Sequence, residues 1–152
     1  MKKVLNISFF AFVMFALFSG CSHEVSNIYN ELNLPTLKIT TDETTVSVEK
    51  GSYSWNTESQ SVVVDAESSE EIAEKMEGTQ LSPLSDLTLD FSKQPDKTSI
   101  SLKGDIQTNM TPHIIESNKF TLPQEEGIYV YEIVGVWNEG EISFTIKVVV
   151  AE

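Results

Sequence analysis

The feature that most limits the fold of this chain is an alternation of apolar and polar residues near its C-terminus. Ile142, Phe144, Ile146 and Val148 fall on one parity and Ser143, Thr145 and Lys147 on the other. Only an extended strand places residues i and i+2 on one face. Upstream lies a long apolar run from Ile128 to Trp137, and the two are separated by Asn138-Glu139-Gly140-Glu141, a turn with a glycine available for positive φ. Together they predict a β-hairpin with one face on a core. The first strand of that hairpin is apolar on both faces. Tyr129, Tyr131 and Trp137 share one parity, and Ile128, Val130, Val134 and Val136 share the other.

Period-two patterning begins at Leu37. Val46 and Val48 alternate with Thr45, Ser47 and Glu49, and Gly51-Ser52-Tyr53-Ser54-Trp55 resumes the alternation after a bend. Ser61-Val62-Val63-Val64-Asp65 is a short β-branched run. Leu87, Leu89 and Phe91 define another strand, Gln94-Pro95-Asp96-Lys97 a turn, and Ile100 and Leu102 the next alternation. One short helix is expected: Ser68 and Glu71 form a capping-box pair, Ile72 and Met76 share a face, and Gly78 stands where the helix would stop. Such a helix is marginal alone and must pack on a sheet. Many short strands with turn signals predict a mainly β, antiparallel sandwich spanning residues 37–152. Glu125-x-Gly127-x-Tyr129 resembles the turn before the penultimate strand of immunoglobulin-like domains. The resemblance implies that the Tyr129 hydroxyl ties down the loop backbone. Tyr131 stands where antibody domains carry a disulfide cysteine, so a disulfide-bonded immunoglobulin domain is excluded.

The N-terminus carries an address. Met1-Lys2-Lys3 precedes an apolar run from Leu5 to Phe18. Its fourteen residues fall short of the about 20 needed to span a bilayer. A basic start, a short apolar stretch and small residues after it predict a secretory signal peptide over residues 1–20. Leu17-Phe18-Ser19-Gly20-Cys21 resembles the lipobox of bacterial lipoproteins, with Phe18 where that family usually carries an aliphatic residue. The resemblance implies cleavage before Cys21, diacylglycerol on its thiol, and a place on the outer face of the cell membrane. Cys21 is the sole cysteine, so no internal disulfide can form. Two acyl chains anchor firmly without help from a basic patch. The following residues, 22–36, are polar with Pro35 at their close, and are expected to form a tether. The mature part resembles small, functionally unassigned, immunoglobulin-like lipoproteins of Gram-positive type through Gly51-x-Tyr53-x-Trp55 and Gly127-x-Tyr129-x-Tyr131-x-x-x-Gly135-x-Trp137. That resemblance carries no catalytic residues with it.

Charge narrows the partners. All ten basic residues are lysines; without Lys2 and Lys3, eight face 23 acidic residues, a formal charge of −15. Such a surface repels nucleic acid and anionic headgroups. Chemistry is sparse. His23 falls in the tether and His113 beside Pro112, and no serine sits in Gly-x-Ser-x-Gly. A zinc site needs clustered Cys and His, which one cysteine and two distant histidines do not supply. Asp65-x-Glu67 and Glu70-Glu71-x-x-Glu74-x-x-Glu77 are rich in carboxylates, but helical members spread around the axis and suit a helix N-terminus. No catalytic residue, metal or cofactor is therefore assigned. The remaining candidates are Cys21 as the lipidation site and Tyr53, Trp55, Tyr131 and Trp137 as either core or a ligand surface for an envelope protein or glycan. The expected function is a non-catalytic binding or structural module of the cell envelope. The alternative is a secreted inhibitor or accessory subunit of an envelope enzyme or transporter, acting through a protruding loop at 104–117.

Overall fold

The structure, a computed structural model, describes residues 32–103, 113–114 and 118–152. The chain divides at Asn33, and the second unit, Leu34–Glu152, holds all the strands found among the described residues. In chain order these are β1 (Leu37–Thr40), β2 (Thr45–Val46), β3 (Glu49–Asn56), β4 (Ser61–Val64), α1 (Ser69–Glu74), β5 (Thr79–Leu81), β6 (Asp86–Phe91), β7 (Lys97–Lys103), β8 (His113–Ile114), β9 (Lys119–Thr121), β10 (Gly127–Trp137) and β11 (Gly140–Val150).

The C-terminal hairpin is the spine. Eleven residue pairs join β10 to β11, from Gly127 opposite Val150 to Trp137 opposite Gly140. Gly140 adopts φ of +154° and lies against β3, where a Cβ would collide with the Ser54 carbonyl. The larger sheet runs β4-β3-β11-β10-β7-β8, and the smaller runs β2-β1-β6-β9. β5 adds to β11 in parallel, beyond the point where β3 leaves it; this one parallel pairing departs from the all-antiparallel expectation. The sequence pattern did not signal it, because β5 is three residues long. Sheets β1-β6-β9 and β11-β10-β7-β8 follow the A-B-E and G-F-C-C′ order of an immunoglobulin-like sandwich. The hairpin β3–β4 and α1 are inserted between β1 and β5.

The two sheets meet through the parity that the sequence sets. Ile39, Leu87 and Leu89 from the smaller sheet, and Ile133, Ile142, Ile146 and Val148 from the larger, are fully buried. Each such side chain contributes about 2 kcal/mol of apolar burial. Aromatic edges cross the interface: Phe91 meets Phe144 at 6.1 Å and Trp137 at 5.9 Å between ring centroids, and Phe120 meets Tyr131 at 5.3 Å. Residues 34–36, read from sequence as the end of a tether, belong to the folded unit. Pro35 is buried, and Thr36 donates its N–H to Ser92 Oγ (2.9 Å) and accepts from the Ser92 N–H (3.0 Å).

The outer face of the larger sheet carries α1. Its capping box closes as the sequence predicts: Ser68 Oγ accepts from the Glu71 N–H (3.3 Å), and Glu71 Oε2 accepts from the Ser68 N–H (2.9 Å). The Ser68 N–H, and with it the Ser68 hydroxyl, which also donates to Glu71 Oε2 (2.9 Å), hold the Glu71 carboxyl below its ordinary range. The helix ends at Glu74, so Met76 packs from the segment beyond it. The last turn has no basic residue of its own. Lys147 supplies one from β11, donating from Nζ to the carbonyls of Ala73 (3.0 Å) and Met76 (2.9 Å).

Candidate functional site

The aromatic candidates are core, which corrects the reading of them as a ligand surface. Tyr53, Trp55, Tyr131 and Trp137 are all buried. The reason lies in the doubly apolar strand. The odd parity of β10 faces the smaller sheet, whose area excludes water from large rings. The even parity, with Val130, Val134 and Val136, faces outward and is half-buried, while Ile128 is exposed. Trp137 meets Trp55 edge-on at 5.6 Å and donates Nε1–H to the Lys93 carbonyl (3.0 Å). Its indole lies over Gly135, where a Cβ would come within 2.5 Å of Cη2. The Tyr129 hydroxyl donates to the Glu125 carbonyl (2.9 Å), which is the tie that the immunoglobulin-like turn implied. Tyr131 stacks beside Tyr129, and burial, then the neighbouring Tyr129, pushes its phenol up to about 12. Lys93 closes this end of the sandwich: its ammonium lies 5.9 Å over the Trp55 ring and pairs with Glu139.

Cys21 lies outside the described residues. So do 104–112 and 115–117, most of the loop expected to protrude; His113 and Ile114 form β8 against β7.

What the fold builds on its open face is a groove of about 720 Å³. Its floor is the outer parity of β3, β11 and β10, with Ser52, Ser54, Ser143 and Val134. Its walls are the β4–α1 connection and the start of α1. Hydroxyls fix its shape. Ser143 Oγ donates to the Ser52 carbonyl (3.0 Å), Ser52 Oγ accepts from the Ala66 N–H (2.9 Å), and Ser69 Oγ donates to Glu132 (3.2 Å). Four carboxylates line it: Asp65, Glu67, Glu132 and Glu141. Lys75 pairs with Glu67, and Lys103 reaches Glu132 at 2.9 Å. Asp65 and Glu141 form no ion pair among the described residues. Asp65-x-Glu67 was visible in the sequence as a carboxylate pair. Glu132 was signalled only as the one charge inside an apolar strand, and Glu141 was hidden in the hairpin turn.

The groove offers hydrogen-bond acceptors and negative charge over a floor of serine hydroxyls and Val134, the chemistry of a surface that receives a cationic or polar ligand. Among the described residues no three His, Cys, Asp or Glu side chains gather into a metal-binding group. Comparison with known proteins finds no family model, no curated protein and no solved structure that matches this chain.

Proposed function

We propose that this chain is a membrane-anchored, extracytoplasmic lipoprotein whose sandwich serves as a non-catalytic binding or structural module of the cell envelope. The observation that carries the reading is Cys21, the only cysteine, placed directly after Ser19-Gly20 at the end of a short apolar leader. A diacylated thiol would anchor by about 0.8 kcal/mol for each buried methylene. Twelve residues separate that thiol from Leu34, where the folded unit begins, enough to hold the sandwich clear of the headgroups. The excess of carboxylates supports the same geometry, because an anionic leaflet repels them. The open groove, rather than the buried aromatics, is the surface available to a partner.

The test is fractionation of cells making the wild-type chain and Cys21→Ala, each fed radiolabelled palmitate. The expected result is label and membrane retention for the wild type, and an unlabelled variant released into the medium. A variant that stays with the membrane overturns the anchor.

A further inference from the structure

The described order of the larger sheet ends at β4, and this edge differs from the other ends. β4 has four residues, against two in β2, two in β8 and three in β9. Natural edges are blunted by lysine, proline, bulges or extreme shortness. Ser61-Val62-Val63-Val64 has no charge and no proline, and its pairing with β3 runs without a register shift.

The hydrogen-bond phase of the hairpin determines which groups the edge presents. The Thr57 N–H donates to the Gln60 carbonyl (2.8 Å), so Thr57 and Gln60 are a bonded pair. Bonded and non-bonded pairs alternate along antiparallel strands. Val62 opposite Trp55 and Val64 opposite Tyr53 are therefore bonded to β3. The N–H and C=O groups of Ser61 and Val63 point away from the sheet. The Val63 side chain is 75% exposed and forms the rim of the acidic groove.

Charge selects the occupant. Glu58 precedes this edge in the hairpin turn and Asp65 follows it. Glu141 sits opposite Ser54, the residue paired with Val63. A second copy would bring the same carboxylates to its own β4. The chain's segment 22–33 adds Glu24 and Glu31 and contains no lysine. Both are disfavoured by like charge. We infer that β4 captures an extended, lysine- or arginine-bearing segment of a partner protein by strand addition. Backbone bonds to Ser61 and Val63 supply the register, and basic side chains beside Val63 reach Asp65 and Glu141. This deepens the binding-module reading and rests on it.

The probe is a synthetic peptide, Lys-Val-Lys-Val-Thr-Val-Lys, against the detergent-solubilised lipoprotein, with a control in which glutamate replaces every lysine. Fluorescence anisotropy gives affinity, and hydrogen exchange reports the edge amides. The expected results are binding of the lysine peptide about tenfold or more above the glutamate control, and slowed exchange at Ser61 and Val63. Val63→Pro removes an outward donor without breaking a β3 bond, and lowers affinity about tenfold or more. Val63→Lys serves the same purpose through charge should the proline variant melt early. Asp65→Lys with Glu141→Lys weakens binding to a similar extent. Absence of binding, equal binding of the glutamate peptide, unchanged exchange at residues 61 and 63, or full affinity in a folded Val63 variant overturns strand capture. Palmitate labelling of Cys21 is read separately, so failure of the peptide experiment leaves the anchor standing.

Discussion

Thr145 holds a hydroxyl that the fold would be more stable without. In the sequence it belongs to the polar parity of β11, with Ser143 and Lys147, and looks solvent-facing. In the structure it is 1% exposed, between Glu132 on β10 and Glu49 on β3, on the face that α1 covers. Its Oγ1 has no hydrogen-bond partner among the described residues. Burying an unbonded hydroxyl costs about 1–3 kcal/mol by mutational measures. Thr145→Val replaces the oxygen with a methyl of nearly the same shape and keeps the β-branch that suits a strand. Some of the gain is offset because the extra methyl must fit a close-packed site. The expected net effect is stabilisation by about 1 kcal/mol, raising Tm by about 4 °C for a domain of this size. Urea unfolding followed through the buried Trp55 and Trp137 measures it, with an unchanged m-value showing that only stability moved. Destabilisation by more than about 0.5 kcal/mol would refute the reasoning, because it would mean that the hydroxyl has a bonding partner whose loss is felt.

Tyr129→Phe should destabilise by about 1 kcal/mol in the same urea assay. It removes the bond to Glu125 while leaving the ring in place, and the Glu125 carbonyl lies in an exposed turn that water can reach. Gly135→Ala should cost about 1–3 kcal/mol, since its Cβ would press on the buried Trp137 indole; indole fluorescence should shift with it. The Tyr131 phenol, raised to about 12 in the folded state, favours the neutral form there. Its contribution is complete below the unfolded value of about 10 and is lost as pH rises from about 10 to about 12. The urea midpoint should therefore fall between about pH 9 and about pH 11 by an amount worth about 1 kcal/mol, and Tyr131→Phe should remove that part of the fall.

Much of the architecture is legible in the amino-acid sequence. Alternation at Ile142, Phe144, Ile146 and Val148 could be satisfied only by a strand, and the turn at Asn138–Gly140 could only return the chain antiparallel. Ser68 and Glu71 announced a helix start because capping is a local event between residues three apart. Glu125-x-Gly127-x-Tyr129 announced the corner for the same reason. The proposed anchor at Cys21 rests on local sequence alone, on Ser19-Gly20 and the short apolar leader before it, and palmitate labelling is its test. Tertiary structure alone decided which of the two apolar faces of β10 would meet the second sheet, since both parities offer apolar surface and only the partner sheet breaks the tie. It also decided that Thr145 is buried, that Lys147 caps a helix more than seventy residues away, and that Asp65, Glu132 and Glu141 share one groove. Those outcomes depend on which strands become neighbours, and strand neighbours in a sandwich are set by long-range pairing, to which a residue's near neighbours in sequence are blind.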